Sequence, residues 1–259
     1  MLSPSVAHGR FVWFELLTTD PAAAQEFYTQ VVGWTVEPYG EGQHAYSMWK
    51  TPGGHTIGGV MELPEAAKQM GAPPHWMGNL AVVDVDAAVA TLKSLGGAVY
   101  NGPFDVPNIG RIAIVADPQG ASLALYQPAG DAPGHTDQPA VGEVSWNELM
   151  TSDLGAAMAF YSQIAGWQMT DAMDMGPMGT YQMFGPQSGG TIGGAMTRPP
   201  QIPMSYWGYY FYVADLDAAI ATATSLGARV LNGPMPIPGG DRVVNMMDPQ
   251  GAAFNLHGK

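Results

Sequence analysis

From Phe11 to Thr18 (FVWFELLT) apolar and polar side chains alternate, which places Trp13, Glu15 and Leu17 on one face of a strand and Phe14 and Leu16 on the other. The period then changes. Asp20 stands where a helix N-cap belongs, and Pro21 occupies the first turn, where its missing N–H costs nothing. Phe27, Tyr28, Val31 and Val32 recur at helical spacing, a stripe able to cover the Phe14 and Leu16 side of the strand. Gly33 closes the helix. Three short strands are predicted next, near Thr35 to Pro38, Ala45 to Lys50 and Thr56 to Leu63, with Pro52, Gly53 and Gly54 forming the hairpin between the last two. After a connection ending at Pro73 and Pro74 the βαβββ order returns: a strand from Trp76 to Val83, a helix from Asp86 to Leu95 closed by Gly96 and Gly97, and strands near Ala98 to Asn101, Gly110 to Ala116 and Ala121 to Gln127.

The whole pattern is then repeated. WFELLTTDPAAAQEFYTQVVGW, Trp13 to Trp34, has a close copy in WNELMTSDLGAAMAFYSQIAGW, Trp146 to Trp167. Gly58-Gly59 matches Gly193-Gly194, Asn101-Gly102-Pro103 matches Asn232-Gly233-Pro234, and Asp117-Pro118-Gln119-Gly120 matches Asp248-Pro249-Gln250-Gly251. Between the copies, residues 129–141 (AGDAPGHTDQPAV) have no periodicity and are rich in Gly, Pro and small polar residues, so they are read as a linker. The expected architecture is α+β: four βαβββ units arranged as two tandem modules, residues 9–128 and 142–259. A duplicated chain carries its own control, because a feature of both copies belongs to the shared design and a feature of one copy to a specialised site.

Charge narrows the partners. Nine Lys and Arg against 22 Asp and Glu give a formal charge of −13, which repels nucleic-acid phosphates and anionic membrane surfaces. No Cys is present, so disulfides, thiolate metal sites and a Cys nucleophile are excluded. The start of the chain, MLSPSVAHGR, lacks the apolar run of a signal peptide, and no long apolar span follows; a soluble, cytoplasmic protein is expected. Its 17 Met residues fit either flexible core filling or an adaptable apolar pocket.

The strand–Asp–helix–Phe-Tyr–Gly-Trp openings, the helix starts Asp84-Val85-Asp86-Ala87-Ala88 and Asp215-Leu216-Asp217-Ala218-Ala219, and the two Asp-Pro-Gln-Gly hairpins together resemble the vicinal oxygen chelate superfamily. That group holds glyoxalase I, the bleomycin-resistance proteins and the extradiol dioxygenases. The Trp-x-Glu-Leu openings resemble a tandem subgroup described as glyoxalase-like or hydroxylase-like. The resemblance implies that each pair of βαβββ units curls into a cup, with metal ligands on its first, fourth, fifth and eighth strands. At those positions this chain has Trp13 and Trp146, the stretches Gly59 to Met61 and Gly194 to Met196, Met77 and Gly208, and Ala124 and Asn255. None suits a divalent cation, which takes imidazole, carboxylate or ordered carbonyl oxygens. No metal and no cofactor are expected.

Strand parity then lists what faces each cup. In the first it is Trp13, Glu15, Leu17, Met77, Asn79, Ala81, Ala124 and Tyr126, with Tyr46 or Met48 and Met61; in the second it is Trp146, Glu148, Met150, Gly208, Tyr210, Tyr212, Asn255 and His257, with Tyr181 or Met183 and Met196. Aromatic and apolar walls with a few polar groups suit a small molecule. Glu15 and Glu148 read either as acid–base groups with raised pKa values or as structural acceptors. His257, with Glu148 or Asn255, could act as acid or base, or be a solvated residue near a fraying C-terminus. Gly53-Gly54, Gly58-Gly59, Gly189-Gly190 and Gly239-Gly240 sit in predicted hairpins and strands without the helix and Lys of a phosphate loop, and turn geometry is read as their explanation. Two functions stay open: a metal-independent binding protein of the bleomycin-resistance type for an apolar or aromatic natural product or antibiotic, or a metal-independent lyase, isomerase or oxygenase using Glu15 or Glu148. A small molecule is the expected partner, with no nucleic acid or membrane, and the chain is expected to be a monomer with two pseudo-symmetric halves or a homodimer.

Overall fold

The computed structural model describes residues 1–40 and 46–259, so Ala45, the first residue of the predicted strand Ala45 to Lys50, lies outside the described residues. The first copy comprises helix α1 (Pro4–Ala7), strand β1 (Phe11–Thr18), α2 (Pro21–Val31), β2 (Thr35–Tyr39), β3 (Tyr46–Lys50), β4 (Thr56–Glu62), α3 (Glu65–Gln69), β5 (His75–Ala81), α4 (Val85–Ser94), β6 (Ala98–Val106), β7 (Gly110–Ala116) and β8 (Ser122–Pro128). The second comprises β9 (Val144–Thr151), α5 (Leu154–Ala165), β10 (Gln168–Asp174), a 3₁₀ turn at Gly176–Met178, β11 (Thr180–Gly185), β12 (Gly193–Thr197), β13 (Tyr206–Tyr212), α6 (Leu216–Ser225), β14 (Arg229–Pro236), β15 (Arg242–Met247) and β16 (Ala253–Gly258). The α+β class and the duplicated βαβββ order are thus present. Two eight-stranded mixed sheets result, ordered β2-β3-β4-β1-β5-β8-β7-β6 and β10-β11-β12-β9-β13-β16-β15-β14.

Local chemistry sets the element boundaries. Each of the four long helices opens on an Asp whose side chain accepts the N–H three residues on: Asp20 from Ala23 at 3.0 Å, Asp84 from Ala87 at 3.0 Å, Asp153 from Ala156 at 2.9 Å and Asp215 from Ala218 at 2.9 Å. Each bond satisfies a donor that helix geometry leaves unpaired. Gly166 ends α5 in the left-handed region at φ 64°. Helix α3 is an element the hydrophobic pattern does not predict; none of its residues is buried, so it carries no apolar stripe to read.

Contacts gather the chain into two compact units, and each draws on both copies. One unit comprises Phe14–Met77, Thr136–Ser145 and Gly208–Lys259; the other comprises Met1–Trp13, Gly78–His135 and Trp146–Trp207. In the former, Tyr28 on α2 is fully buried, accepts from Trp76 Nε1 at 3.0 Å and donates to Asp248 Oδ2 at 3.0 Å. Phe254, Trp34 and Phe211 surround them with ring contacts of 5.4 Å (Tyr28–Phe254) and 5.0 Å (Trp34–Phe211). In the latter, Tyr161 on α5 repeats the arrangement, accepting from Trp207 Nε1 at 3.0 Å and donating to Asp117 Oδ2 at 3.1 Å. Each Asp also holds its own hairpin: Asp117 Oδ1 takes the N–H groups of Gln119 and Ala121, and Asp248 Oδ1 those of Gln250 and Ala252. Each Tyr–Asp bond therefore ties the helix of one copy to the hairpin of the other. Burial raises both carboxyl pKa values, and these hydrogen bonds to the charged form oppose the rise.

Candidate functional site

Glu15 on β1 lies in register with Gly59 on β4, and Gly59 in turn with Met48 on β3. Tyr46, two residues from Met48 and so on the same face, reaches across β4 and donates its hydroxyl to Glu15 Oε1 at 3.0 Å. The ring passes directly over Gly59, where a Cβ would stand 2.2 Å from Tyr46 Cζ and 2.3 Å from its oxygen. The second copy builds the same device. Glu148 on β9 faces Gly194 on β12, Tyr181 on β11 donates to Glu148 Oε1 at 3.0 Å, and a Cβ at Gly194 would meet Tyr181 Cε1 at 2.2 Å.

Turn geometry, expected to explain the Gly pairs, holds at Gly53-Gly54, Gly189-Gly190 and Gly239-Gly240 but not at Gly58-Gly59, which lies in the predicted strand, nor at its counterpart Gly193-Gly194. Gly58, Gly59, Gly193 and Gly194 sit within strands and none has a positive φ. The first glycine of each pair admits a backbone: an added Cβ would come within 1.8 Å of Phe14 O at Gly58 and 2.2 Å of Asn147 O at Gly193. The second admits the tyrosine ring that carries the carboxylate's hydrogen bond.

Around Glu148 the environment is the more enclosed of the two. Its residue is 9% exposed, and Trp146 Nε1 donates to Tyr181 OH at 2.7 Å, giving a directed chain from indole to phenol to carboxylate. Tyr181's phenol is pushed up by burial and by the Glu148 charge, and Tyr206's up to about 12 for the same two reasons. Met196, in register with Met150, is buried, and Met183, in register with Gly194, is half-buried. Beside Glu15, Met61 lies in register with Leu17 and with Tyr46; Tyr46, Met48 and Met61 are half-buried and Met77 is buried.

Across β13 to β16 the copies diverge. Tyr209 and Phe211 pack against Phe14 (5.2 Å) and Trp76 (4.8 Å), so Tyr210 and Tyr212 project from the opposite face. On that face Asn245 Nδ2 donates to Tyr210 OH at 3.1 Å and to Asn255 Oδ1 at 2.7 Å, while Asn255 Nδ2 donates to Tyr209 O at 3.3 Å. One row along, His257 Nδ1 bonds Ser145 Oγ at 2.8 Å and its Nε2 lies 3.2 Å from Asp241 Oδ2, with the Tyr212 ring 5.0 Å away. The approach of His257 Nε2 to Asp241 is an ion-pair distance. Burial lowers the imidazole pKa, and Asp241 works against it. His257 belongs to strand β16, in register with Val243 and Tyr212, so the end of the chain is paired rather than frayed there. The corresponding positions of the first copy are Asn79, Ala124 and Ile114, then Ala81, Tyr126 and Ile112. Tyr126 donates to Ile109 O at 2.9 Å, and Leu2, Val6, Ala7 and Ala132 pack with it, Ala81 and Ile112 into an apolar cluster. Ser145, Asp241 and Asn245 were not among the residues that strand parity brought forward; placing the copies side by side exposes Asn245 against Ile114.

The residues at the implied ligand positions do not fit a divalent cation. Trp146 Nε1 is a donor already used on Tyr181, Gly208 has no side chain, and Asn255 Oδ1 accepts from Asn245. Trp13, Met77 and Ala124 offer no oxygen or imidazole at all.

The model of the Glyoxalase/Bleomycin resistance protein/Dioxygenase superfamily matches residues 10–125 and again 141–256. The chain is 36% identical over 247 residues to "Putative glyoxylase CFP32" of Mycobacterium tuberculosis, covering 94% of this chain and 92% of that relative. It is 32% identical over 266 residues to "Anthracycline biosynthesis protein DauV" of a Streptomyces species, covering 96% and 93%. Among solved structures, the Mn(II)-bound glyoxalase from Novosphingobium aromaticivorans superposes with a TM-score of 0.62 at 17% identity, over 97% of this chain and 82% of that one. The 2,3-dioxygenase LapB from Pseudomonas gives 0.64 at 12% identity, over 96% and 92%. At such identities the structural likeness concerns the fold alone. With a family model matching both copies, this chain belongs to the glyoxalase/bleomycin-resistance protein/dioxygenase superfamily.

Proposed function

We propose that this protein binds an apolar or aromatic small molecule of the natural-product class, and that it does so without a divalent metal. The observation that carries the reading is the duplicated Tyr–Glu pair, Tyr46 with Glu15 and Tyr181 with Glu148, set among Trp and Met side chains. Broad aromatic rings and mouldable thioethers supply contact area for a planar ligand, and an oriented carboxylate supplies the polar anchor. The unsuitability of Trp13, Met77 and Ala124 and of Trp146, Gly208 and Asn255 as ligands supports metal independence. The relative named for anthracycline biosynthesis supports a polycyclic aromatic ligand. A second reading, an enzyme of lyase, isomerase or oxygenase type, is favoured by the Trp146–Tyr181–Glu148 chain, in which a phenol of raised pKa holds a nearly buried carboxylate in one orientation.

Titration with 1,4-dihydroxyanthraquinone, followed by Trp fluorescence and paired with elemental analysis of protein purified without added metal, tests both. Saturable quenching with a Kd below about 100 μM and substoichiometric metal is expected. Stoichiometric metal, or no saturation, overturns the binding reading. Glu148→Gln separates the two: turnover of the bound molecule that disappears while binding survives would establish the enzyme.

A further inference from the structure

The hairpin joining β10 to β11 carries a set of side chains that the first copy lacks. Between Trp167 and Tyr181 stand Met169, Met173, Met175 and Met178, whereas the matching stretch from Trp34 to Tyr46 contains no Met. Core filling does not explain them. Met169 and Met178 are 67% and 53% exposed and Met173 and Met175 are half-buried, while the Met residues that do fill core, such as Met77, Met158 and Met246, are buried. The two copies share one scaffold, so a Met cluster written into one hairpin only is a specialised feature rather than a requirement of the fold.

The turn holds these residues in place. Met178 N–H donates to Met175 O at 3.3 Å, Gly179 N–H to Gly176 O at 3.0 Å and Met175 N–H to Gly179 O at 2.8 Å, so backbone bonds close it from both sides. Asp174 Oδ1 accepts from Gly176 N–H at 2.9 Å, and Gln182 Nε2 donates to Asp171 O at 2.8 Å across the hairpin. Gly176–Met178 form a 3₁₀ turn with Met175 as its N-cap. Side chains three residues apart in such a turn eclipse, which sets Met175 and Met178 on one side of it. Met173, two residues ahead of Met175, is in register with Tyr181 at the same end of the hairpin. The run Met-x-Met-x-x-Met thus gathers three thioethers in one short, internally bonded turn.

A thioether sulfur is a soft, neutral donor. It suits Cu(I), whereas Mg, Ca and Mn take carboxylate, carbonyl or water oxygens. The chain has no Cys, so no thiolate elsewhere in it competes for a soft ion. Asp171 and Asp174 flank the Met residues, and the formal charge of −13 favours the approach of a cation. We propose that the β10–β11 turn is a binding site for a soft monovalent cation, Cu(I), with Met173, Met175 and Met178 as its ligands. The ion here is monovalent and soft, so the site is compatible with the poor fit of divalent cations to the ligand positions described above. Neutral donors at an exposed turn release the ion on dialysis, and protein purified without added metal carries none.

Anaerobic titration of the full chain with Cu(I), buffered by the chromogenic chelator bicinchoninate, tests this. One equivalent bound with a Kd below about 20 μM is expected. Met175→Leu and Met178→Leu nearly conserve volume and remove the sulfur, so folding is kept, and the two together should weaken binding by at least about fivefold. Met70→Leu and Met204→Leu, at Met residues that are 64% and 61% exposed elsewhere, should leave it unchanged. Native mass spectrometry with Ag(I) in halide-free buffer reads the stoichiometry independently. Wild-type binding weaker than about 20 μM, a loss smaller than about fivefold in the double variant, or an equal loss in the Met70 and Met204 variants overturns the inference.

Discussion

Gly194→Ala puts the Tyr–Glu device under direct strain. The new methyl would stand 2.2 Å from Tyr181 Cε1, whereas ordinary contact begins near 3.4 Å, so the ring has to move by roughly 1 Å or the strands must part. Tyr181 OH sits between Trp146 Nε1 at 2.7 Å and Glu148 Oε1 at 3.0 Å, and a displacement of that size breaks one or both bonds. Overpacking alone costs about 1–3 kcal/mol. Losing a hydrogen bond to a charged acceptor that stays 9% exposed adds about 1–2 kcal/mol. Urea unfolding of the wild type, Gly194→Ala, Tyr181→Ala and the double variant closes a thermodynamic cycle. With the ring gone the methyl has room, so Gly194→Ala should cost clearly less in the Tyr181→Ala background, with a coupling above about 1 kcal/mol. A destabilisation that is the same with and without the ring, or one below about 0.5 kcal/mol in the wild type, would refute the account of why these positions are glycine. Gly59 and Tyr46 should repeat the result.

Tyr161→Phe removes the buried bond to Asp117 and leaves Trp207 Nε1 without its acceptor, so a loss of about 1–3 kcal/mol in urea unfolding is expected, with Tyr28→Phe matching it through Asp248 and Trp76; a neutral outcome at both sites would deny these bonds any part in joining the copies. Burial lowers the pKa values of His8, His75 and His257, so below their unfolded value of 6.5 the unfolded chain binds protons that the native chain refuses. Stability should therefore fall as pH drops from about 7 through this window, while Asp117 and Asp248, whose carboxyl pKa values burial raises above 3.8, act in the opposite sense as the pH falls further. Urea midpoints that stay flat between about pH 5 and 7, in the wild type and in His75→Gln, would contradict it.

The fold was legible because each signal is local. Asp before a helix, an alternating strand and a Gly after the last helical turn are each decided within a few residues, and each is written twice. Helix α3 escaped because five residues without a buried side chain leave no period to detect. The reason for Gly58-Gly59 was missed on different grounds: a chain shows which residue lacks a side chain but not which ring crosses over it from the neighbouring strand. The Glu and Tyr residues were found by parity, and reading each Glu as an acceptor anticipated a Tyr donor without fixing which one. Asp241 lies in a hairpin, where no period applies, and Ser145 lies on β9 with the opposite parity to Trp146 and Glu148; only the fold carries them to His257.

The crossed Tyr–Asp bonds work as an evolutionary ratchet. Once helix and hairpin had each taken their partner from the other copy, losing either half would strip a buried carboxylate or phenol from both compact units at once, so a single module would need a second molecule to supply those partners. Held in this way, the two copies are free to drift only where neither supports the other. Ile114 in one copy and Asn245 at the matching position of the other mark such a place.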